Sequence, residues 1–191
     1  MNRRTSLKGI LTLGILGVSS FSVYNWINLH RKISLTELLS FKQLLAELAE
    51  TIIPETDTPG AKRAGVENYI LNVISNCTSK VDQNRFLIGL HDVENHSLVE
   101  YNKSFILCKD KERVEILNFF QAKDVYKYQI IKRFHNKILG QTFFSKLKQL
   151  TVEGYCCSEI GATKGLAYDY IPGKYHACIA LNPNQKSWAT K

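Results

Sequence analysis

The sequence lacks the short motifs by which many enzymes hold a cofactor or build an active site. It contains no Gly-x-Gly-x-x-Gly for a dinucleotide, no P-loop, no Gly-x-Ser-x-Gly elbow and no His-Glu-x-x-His metal pair. Cys-x-x-Cys-His is also absent, which excludes a c-type haem attached through that motif. We therefore predict no catalytic, cofactor-binding or metal-binding residue in this chain.

Acidic residues are missing from residues 1–32, and this explains most of the net charge of +8. That segment holds five basic residues, so the rest of the chain has 20 basic and 17 acidic residues, a net charge of only +3. With no nucleic-acid motif present, nucleic acid is not a predicted partner. A locally basic stretch over residues 123–148 is either a solvated helix face or a docking face for an acidic partner.

The N-terminal segment, residues 1–32, has the features of an export signal. Its twin-arginine motif consists of Arg3, Arg4, Leu7 and Lys8. An apolar run over residues 9–23 follows, without an Ala-x-Ala cleavage site. Two fates stay open: cleavage, which leaves a soluble periplasmic protein, or retention as an anchor. The predicted location is the periplasm, at or anchored to the inner membrane.

Residues 33–191 are predicted to form one all-α domain, because apolar residues recur at helical spacing and successive β-type alternations are missing. The pattern predicts an irregular bundle of about five to six helices, at residues 34–53, 66–77, 82–101, 105–120, 124–139 and 142–155. Ser34 and Thr142 are the predicted N-caps. From Gly161, which suits a left-handed helix end, an extended C-terminal arm is predicted.

Five cysteines are present, an odd number that leaves at least one thiol without a partner in this chain. An oxidising compartment permits disulfides. The candidate disulfide joins Cys178 to either Cys156 or Cys157, and the sequence does not select between them. Cys77 and Cys108 are predicted to be isolated buried cysteines.

Two segments resemble the gluconate 2-dehydrogenase subunit 3 family. The first motif, residues 53–61 (IPETDTPGA) with residues 65–66 (GV), is similar to its "IPATDTPGA…AGV" segment. The second motif, residues 154–178 (GYCCSEIGATKGLAYDYIPGKYHAC), is similar to its "GYYTSEIGATKxLxYxxxPGxYxGC" ending. The sequence departs from this pattern at Cys156, Cys157 and Ala177.

The resemblance implies a small, cofactor-free subunit of a membrane-bound sugar, polyol or sugar-acid dehydrogenase. The large subunit of such a complex carries FAD and is of the glucose–methanol–choline type, and a multihaem cytochrome c often takes the electrons. The small subunit carries the export signal, which implies an escort through the twin-arginine translocase. The alternatives are a free-standing periplasmic Cys/His enzyme or a membrane-anchored binding protein.

The two motifs also supply candidates for contacts with that large subunit: Asp57, Pro59, Gly60, Tyr155, Ser158, Glu159, Gly161, Tyr168, Pro172, Gly173 and Tyr175. The first motif is otherwise a loop that links two helices, with Asp57 accepting local backbone N–H groups. Glu159 is expected to bond the backbone of the arm or an arginine of the partner. The tyrosines otherwise pack the arm onto the helices.

Overall fold

The computed structural model describes residues 35–124, 141–171, 173–174, 178, 180–181 and 183–189. The described residues do not include the predicted export signal or the helix predicted beyond residue 124. They also leave out Ser34, Pro172 and Tyr175. The described part of the chain is all-α, as predicted, and holds no β-strand. None of its helices has both the length and the apolar character needed to cross a membrane.

Six α-helices are described, and each of them begins or ends within three residues of a predicted bound. They are α1 (Leu35–Ser40), α2 (Lys42–Ile52), α3 (Val66–Cys77), α4 (Lys80–Tyr101), α5 (Asp110–Lys123) and α6 (Phe143–Cys157). A short 3-10 helix, Phe105–Leu107, precedes α5, and one π-helical turn, Gly161–Gly165, follows α6.

Helix α6 lies in the middle of the bundle and packs against α2, α3, α4 and α5. Its Leu147 and Leu150 share one continuous core with fully buried side chains of the other helices, among them Leu45, Ile70 and Leu90. Burial of apolar area at about 25 cal/mol per Å² is the main source of stability in such a core. The central position of α6 brings its C-terminal end, with the second motif, against the rest of the bundle.

The helix predicted over residues 34–53 is interrupted at Phe41, which corrects the prediction. Phe41 has φ −84° and ψ 5°, and its N–H donates to the Leu38 carbonyl in a tighter turn. Its ring packs edge-on against His91 of α4, with centroids 4.9 Å apart. The break thus directs Phe41 toward α4. The end of α2 at Ile52, ahead of Pro54, is confirmed.

The helix predicted over residues 105–120 begins later than predicted, because α5 begins only at Asp110. The Lys109 N–H donates to the Glu112 carboxylate at 2.7 Å, which satisfies a backbone donor at the start of the helix. Hydrogen bonds from Lys103 and from this N–H lower the pKa of Glu112, against a smaller opposing effect of desolvation. Phe105, in the separate 3-10 helix, is fully buried.

Thr142 holds the predicted N-cap position of α6, but its side chain does not cap the helix. The cap comes from Asp124, whose Oδ2 accepts the Ser145 N–H at 3.1 Å. The same oxygen accepts the Thr142 hydroxyl at 2.7 Å. A carboxylate at a helix N-terminus is favourable for charge as well as for hydrogen bonding. The end of α5 therefore fixes the start of α6.

Candidate functional site

The loop that carries the first motif, residues 53–65, is held by one carboxylate. Glu50, in the last turn of α2, accepts the Glu55 N–H through Oε1 and the Lys62 N–H through Oε2, both at 2.8 Å. The carboxylate lies against Gly60, where a Cβ atom would stand 2.3 Å from Oε1. The two ends of the loop are thus tied to the same side chain, and Gly60 leaves the space for it.

Sequence reasoning missed Glu50, although its position contained a signal. An acidic residue in the last turn of a helix is disfavoured by the helix dipole, so its presence there points to a specific partner. Asp57 was predicted to accept local backbone N–H groups, but the N–H groups of Glu55 and Lys62 donate to Glu50. Asp57 Oδ1 accepts a hydrogen bond from the Thr56 hydroxyl at 2.9 Å.

The two motifs meet through Tyr155. This side chain projects from α6, is buried, and donates its hydroxyl to the Pro59 carbonyl at 2.7 Å, across 96 residues of sequence. A buried carbonyl needs such a donor, because an unpaired one costs about 1–3 kcal/mol. We name the group formed by Glu50, Pro59, Gly60, Tyr155 and Gly161 the motif junction.

Gly161 completes the motif junction by allowing a close approach of the backbone. A Cβ atom at this position would lie 1.9 Å from the Tyr155 carbonyl oxygen. The hydroxyl of Ser158 donates to that same oxygen at 2.7 Å and accepts the Gly161 N–H at 2.9 Å. The predicted left-handed conformation is wrong, since Gly161 begins the π-helical turn; among the described glycines, Gly65 is the one with positive φ, at 69°.

The structure separates the predicted interface residues into two groups by burial. Pro59, Gly60, Tyr155 and Gly161 are buried within this chain, whereas Asp57, Glu159, Tyr168 and Gly173 are exposed and Ser158 is half-buried. The buried group supports the local surface without offering side chains to a partner. The exposed group stays a prediction for partner contacts.

A buried carboxylate, Glu47, ties the same loop to α5. It accepts Lys62 Nζ at 2.5 Å and a guanidinium nitrogen of Arg113 at 2.7 Å. Arg113 donates a second hydrogen bond, at 2.7 Å, to the Ile106 carbonyl. Desolvation alone would raise the pKa of Glu47, but the Lys62 hydrogen bond and the charges of Arg113 and Lys62 together lower it from 4.5.

This lowered pKa gives a prediction for the pH dependence of stability. The ion pairs of Glu47 stabilise the fold above pH 4.5, and this contribution is lost as pH falls through the lower folded-state pKa. We expect Glu47→Gln to cost about 2 kcal/mol at neutral pH, with a difference from the wild type that shrinks below pH 4.5. Chemical denaturation across that pH range measures it.

The matched control for that variant is Glu55→Gln. The Glu55–Arg63 ion pair lies on the surface, with both side chains more than half exposed. Exposed pairs contribute about 0–1 kcal/mol, so this variant should unfold almost like the wild type. Equal costs for the two variants, or a Glu47 cost that does not change with pH, would contradict the role given to Glu47.

The Tyr155 hydrogen bond gives a second prediction. Tyr155→Phe keeps the ring but leaves the buried Pro59 carbonyl without its donor, so we expect a loss of about 1–3 kcal/mol in the free energy of unfolding. Tyr101→Phe is the control, because the Tyr101 hydroxyl donates at 2.6 Å to exposed Glu115, and water can replace it. If both variants lose the same stability, the Tyr155 contact does not hold the two motifs together.

All five cysteines are free thiols in the structure. Cys108 is buried as predicted, with its sulfur 3.1 Å from the Ser97 hydroxyl, whereas Cys77 is exposed, against the prediction. Cys156, Cys157 and Cys178 are exposed, and their pairing stays a prediction. Within the described residues, no three His, Cys, Asp or Glu side chains form a group that could hold a metal ion.

The clefts between the described helices include one of about 120 Å³ and one of about 170 Å³. One opens between Phe86 and Phe143, and the other between Ile52 and Phe144. Both are smaller than the roughly 300–1,000 Å³ of pockets that enclose a small-molecule ligand.

Comparison with known proteins gives one match. The model of a protein family described as "Gluconate 2-dehydrogenase subunit 3" matches residues 41–173. The matched part covers more than half of the chain and includes the whole motif junction, but it ends before Cys178. No curated protein and no solved structure matches the chain.

Proposed function

Because this chain belongs to the gluconate 2-dehydrogenase subunit 3 family, we propose that it is the non-catalytic small subunit of an exported FAD-dependent dehydrogenase. Its partner is a large flavoprotein of the glucose–methanol–choline type that oxidises a sugar, a polyol or a sugar acid. The FAD belongs to that partner, since the present sequence has no dinucleotide-binding loop. A multihaem cytochrome c subunit is the proposed electron acceptor.

The family match is the observation that carries this proposal. The two motifs of the resemblance are far apart in sequence, yet the Tyr155–Pro59 hydrogen bond joins them at one place in the fold. The shared features therefore describe one structural unit, in which two tight turns and a helix end are fixed against each other. Such a rigid unit suits a subunit that stabilises another protein, because rigid surfaces lose little conformational entropy on binding.

The proposal extends to export. The small subunit binds the folded flavin subunit in the cytoplasm, and its signal carries the pair through the twin-arginine translocase. The periplasm, at or anchored to the inner membrane, is the proposed destination. This order of events gives a reason for a folded-cargo signal on a chain without a cofactor motif of its own.

Co-purification tests the proposed function. The affinity-tagged chain is expressed in the cells it comes from, together with their own flavoproteins, and the eluate is examined for a second protein and for flavin absorbance. We expect a yellow complex with one FAD-containing partner. A tagged chain that elutes without any flavoprotein, or that itself turns over a substrate through a Cys or His side chain, would contradict the proposal.

A further inference from the structure

The cleft of about 170 Å³ lies where α2, α5 and α6 meet, and we name it the three-helix cleft. Its apolar lining consists of Leu117 and Phe144, which are buried, Ile52, which is half-buried, and Val114, which is 46% exposed. Each pair of the three helices is in contact. These apolar side chains therefore lie together, held in place by the packing of the bundle.

The size of the three-helix cleft suits one side chain of another protein. A cofactor or a sugar needs a larger pocket, of roughly 300–1,000 Å³. An apolar cavity of about 150 Å³ is enough to bind benzene, so a ring or a branched aliphatic side chain fits into 170 Å³. Anchor residues that fill a pocket of this kind often dominate the energy of a protein interface.

The polar residues of the three-helix cleft indicate the charge of its binding partner. Among the described residues that line it, Lys148 carries the one charge, and no described residue pairs with the Lys148 side chain. Asn118 and Gln121 add exposed amide groups, which can donate and accept hydrogen bonds. An unpaired lysine beside an apolar cleft is complementary to a carboxylate that adjoins the inserted side chain.

Acidic side chains of this chain do not supply that carboxylate. Lys148 ends the locally basic stretch of residues 123–148, and in the described part of this stretch the one acid is Asp124, which is occupied in capping α6. The acids of α2 are also engaged, Glu47 with two cations and Glu50 with two backbone N–H groups. The positive charge at the cleft is thus left for a partner.

We propose that the three-helix cleft docks the flavin subunit, which inserts one aromatic or branched aliphatic side chain between α2, α5 and α6 and places a carboxylate beside Lys148. The inference rests on the proposed function, because it takes the flavin subunit as the partner. Ile52 ends α2 directly ahead of the loop that carries the first motif, so a partner seated in the cleft lies beside the start of that loop.

Filling the cleft tests the inserted side chain. Asn118→Trp adds a large side chain at an exposed lining position of α5, and it should weaken binding of the FAD-loaded flavin subunit roughly 30-fold or more, the effect of losing an anchor residue. The matched control is Asn72→Trp, the same substitution at an exposed position of α3, and it should bind like the wild type. Thermal unfolding of both variants checks that the bundle stays folded.

Reversing one charge tests the carboxylate. Lys148→Glu should weaken binding roughly 10-fold or more at low salt, and the difference from the wild type should shrink as salt is raised. Lys146→Glu is the matched control, because Lys146 lies on the same helix but lines the other cleft, with the Asp82–Arg85 ion pair. It changes the net charge equally and should bind almost like the wild type. Equal weakening by both variants would overturn the inference.

The outcomes distinguish this inference from the proposed function. If the wild type binds no flavoprotein, the proposed function fails and the inference fails with it. If the wild type binds, and both Asn118→Trp and Lys148→Glu bind equally well, only the docking role of the cleft is overturned. If Asn118→Trp abolishes self-association of the chain but leaves flavoprotein binding intact, the cleft binds a second copy, which also overturns the inference.

Discussion

Replacing Gly161 by alanine is expected to destabilise the protein by about 3 kcal/mol or more, a large part of the stability of an ordinary domain. The added Cβ would lie 1.9 Å from the Tyr155 carbonyl oxygen and 2.8 Å from the Ser158 hydroxyl, so the backbone itself has to move. For a domain of this size, the melting temperature should fall by roughly 6–12 °C. Thermal and denaturant unfolding measure both quantities.

Gly173→Ala is the matched control for this variant. Gly173 belongs to the same motif, but a Cβ atom there has no neighbour within 4 Å and its φ is not positive. The substitution should change the free energy of unfolding by less than about 1 kcal/mol, and it can stabilise by restricting the unfolded chain. If the Gly161→Ala protein is as stable as the Gly173→Ala protein, the close approach of residue 161 to the Tyr155 carbonyl oxygen does not require glycine.

Replacing Arg3 and Arg4 together by lysine is expected to abolish export of both subunits. Lysine keeps the positive charge but not the planar guanidinium with its fixed donors, so the two residues are not equivalent in recognition. In cells that make both proteins, dehydrogenase activity and flavoprotein should disappear from the periplasmic fraction and accumulate in the cytoplasm. Fractionation followed by activity assay and immunodetection of each subunit measures this.

The control is the double variant Arg31→Lys, Lys32→Arg, which makes arginine–lysine substitutions outside the twin-arginine motif. It should leave export unchanged. A flavin subunit that still reaches the periplasm when the small subunit stays behind would show that it has its own route. Normal periplasmic activity in the double-lysine variant would contradict the escort role altogether.

Several elements of the fold could be predicted from the sequence because their causes are local. Helix α3 has the predicted bounds, and α2 stops ahead of Pro54, which has no N–H and restricts the residue before it. The apolar side chains whose spacing predicts these helices also fill the core, because a helix with one apolar face must bury that face. The loop between α2 and α3 follows from its turn-forming residues in the same way.

The features that were missed depend on contacts between distant segments. Nothing near Tyr155 in sequence shows that its hydroxyl reaches Pro59, and nothing near Asp124 shows that it caps α6. The sequence predicts a positive φ at Gly161, as is usual for a glycine at a helix end, whereas the structure requires glycine there because a Cβ atom would clash with the Tyr155 carbonyl oxygen. The motifs could therefore be found in the sequence, but the way they fit together could not.

Dehydrogenase turnover in reconstituted samples tests the central claim most directly. The tagged chain alone, the flavin subunit alone and the co-expressed pair are assayed with gluconate and a panel of sugars and polyols, using a dye as electron acceptor. We predict turnover in the pair, and none in the small subunit alone at any substrate concentration. Substrate oxidation by the isolated small subunit, free of flavoprotein, would contradict its assignment as a non-catalytic partner.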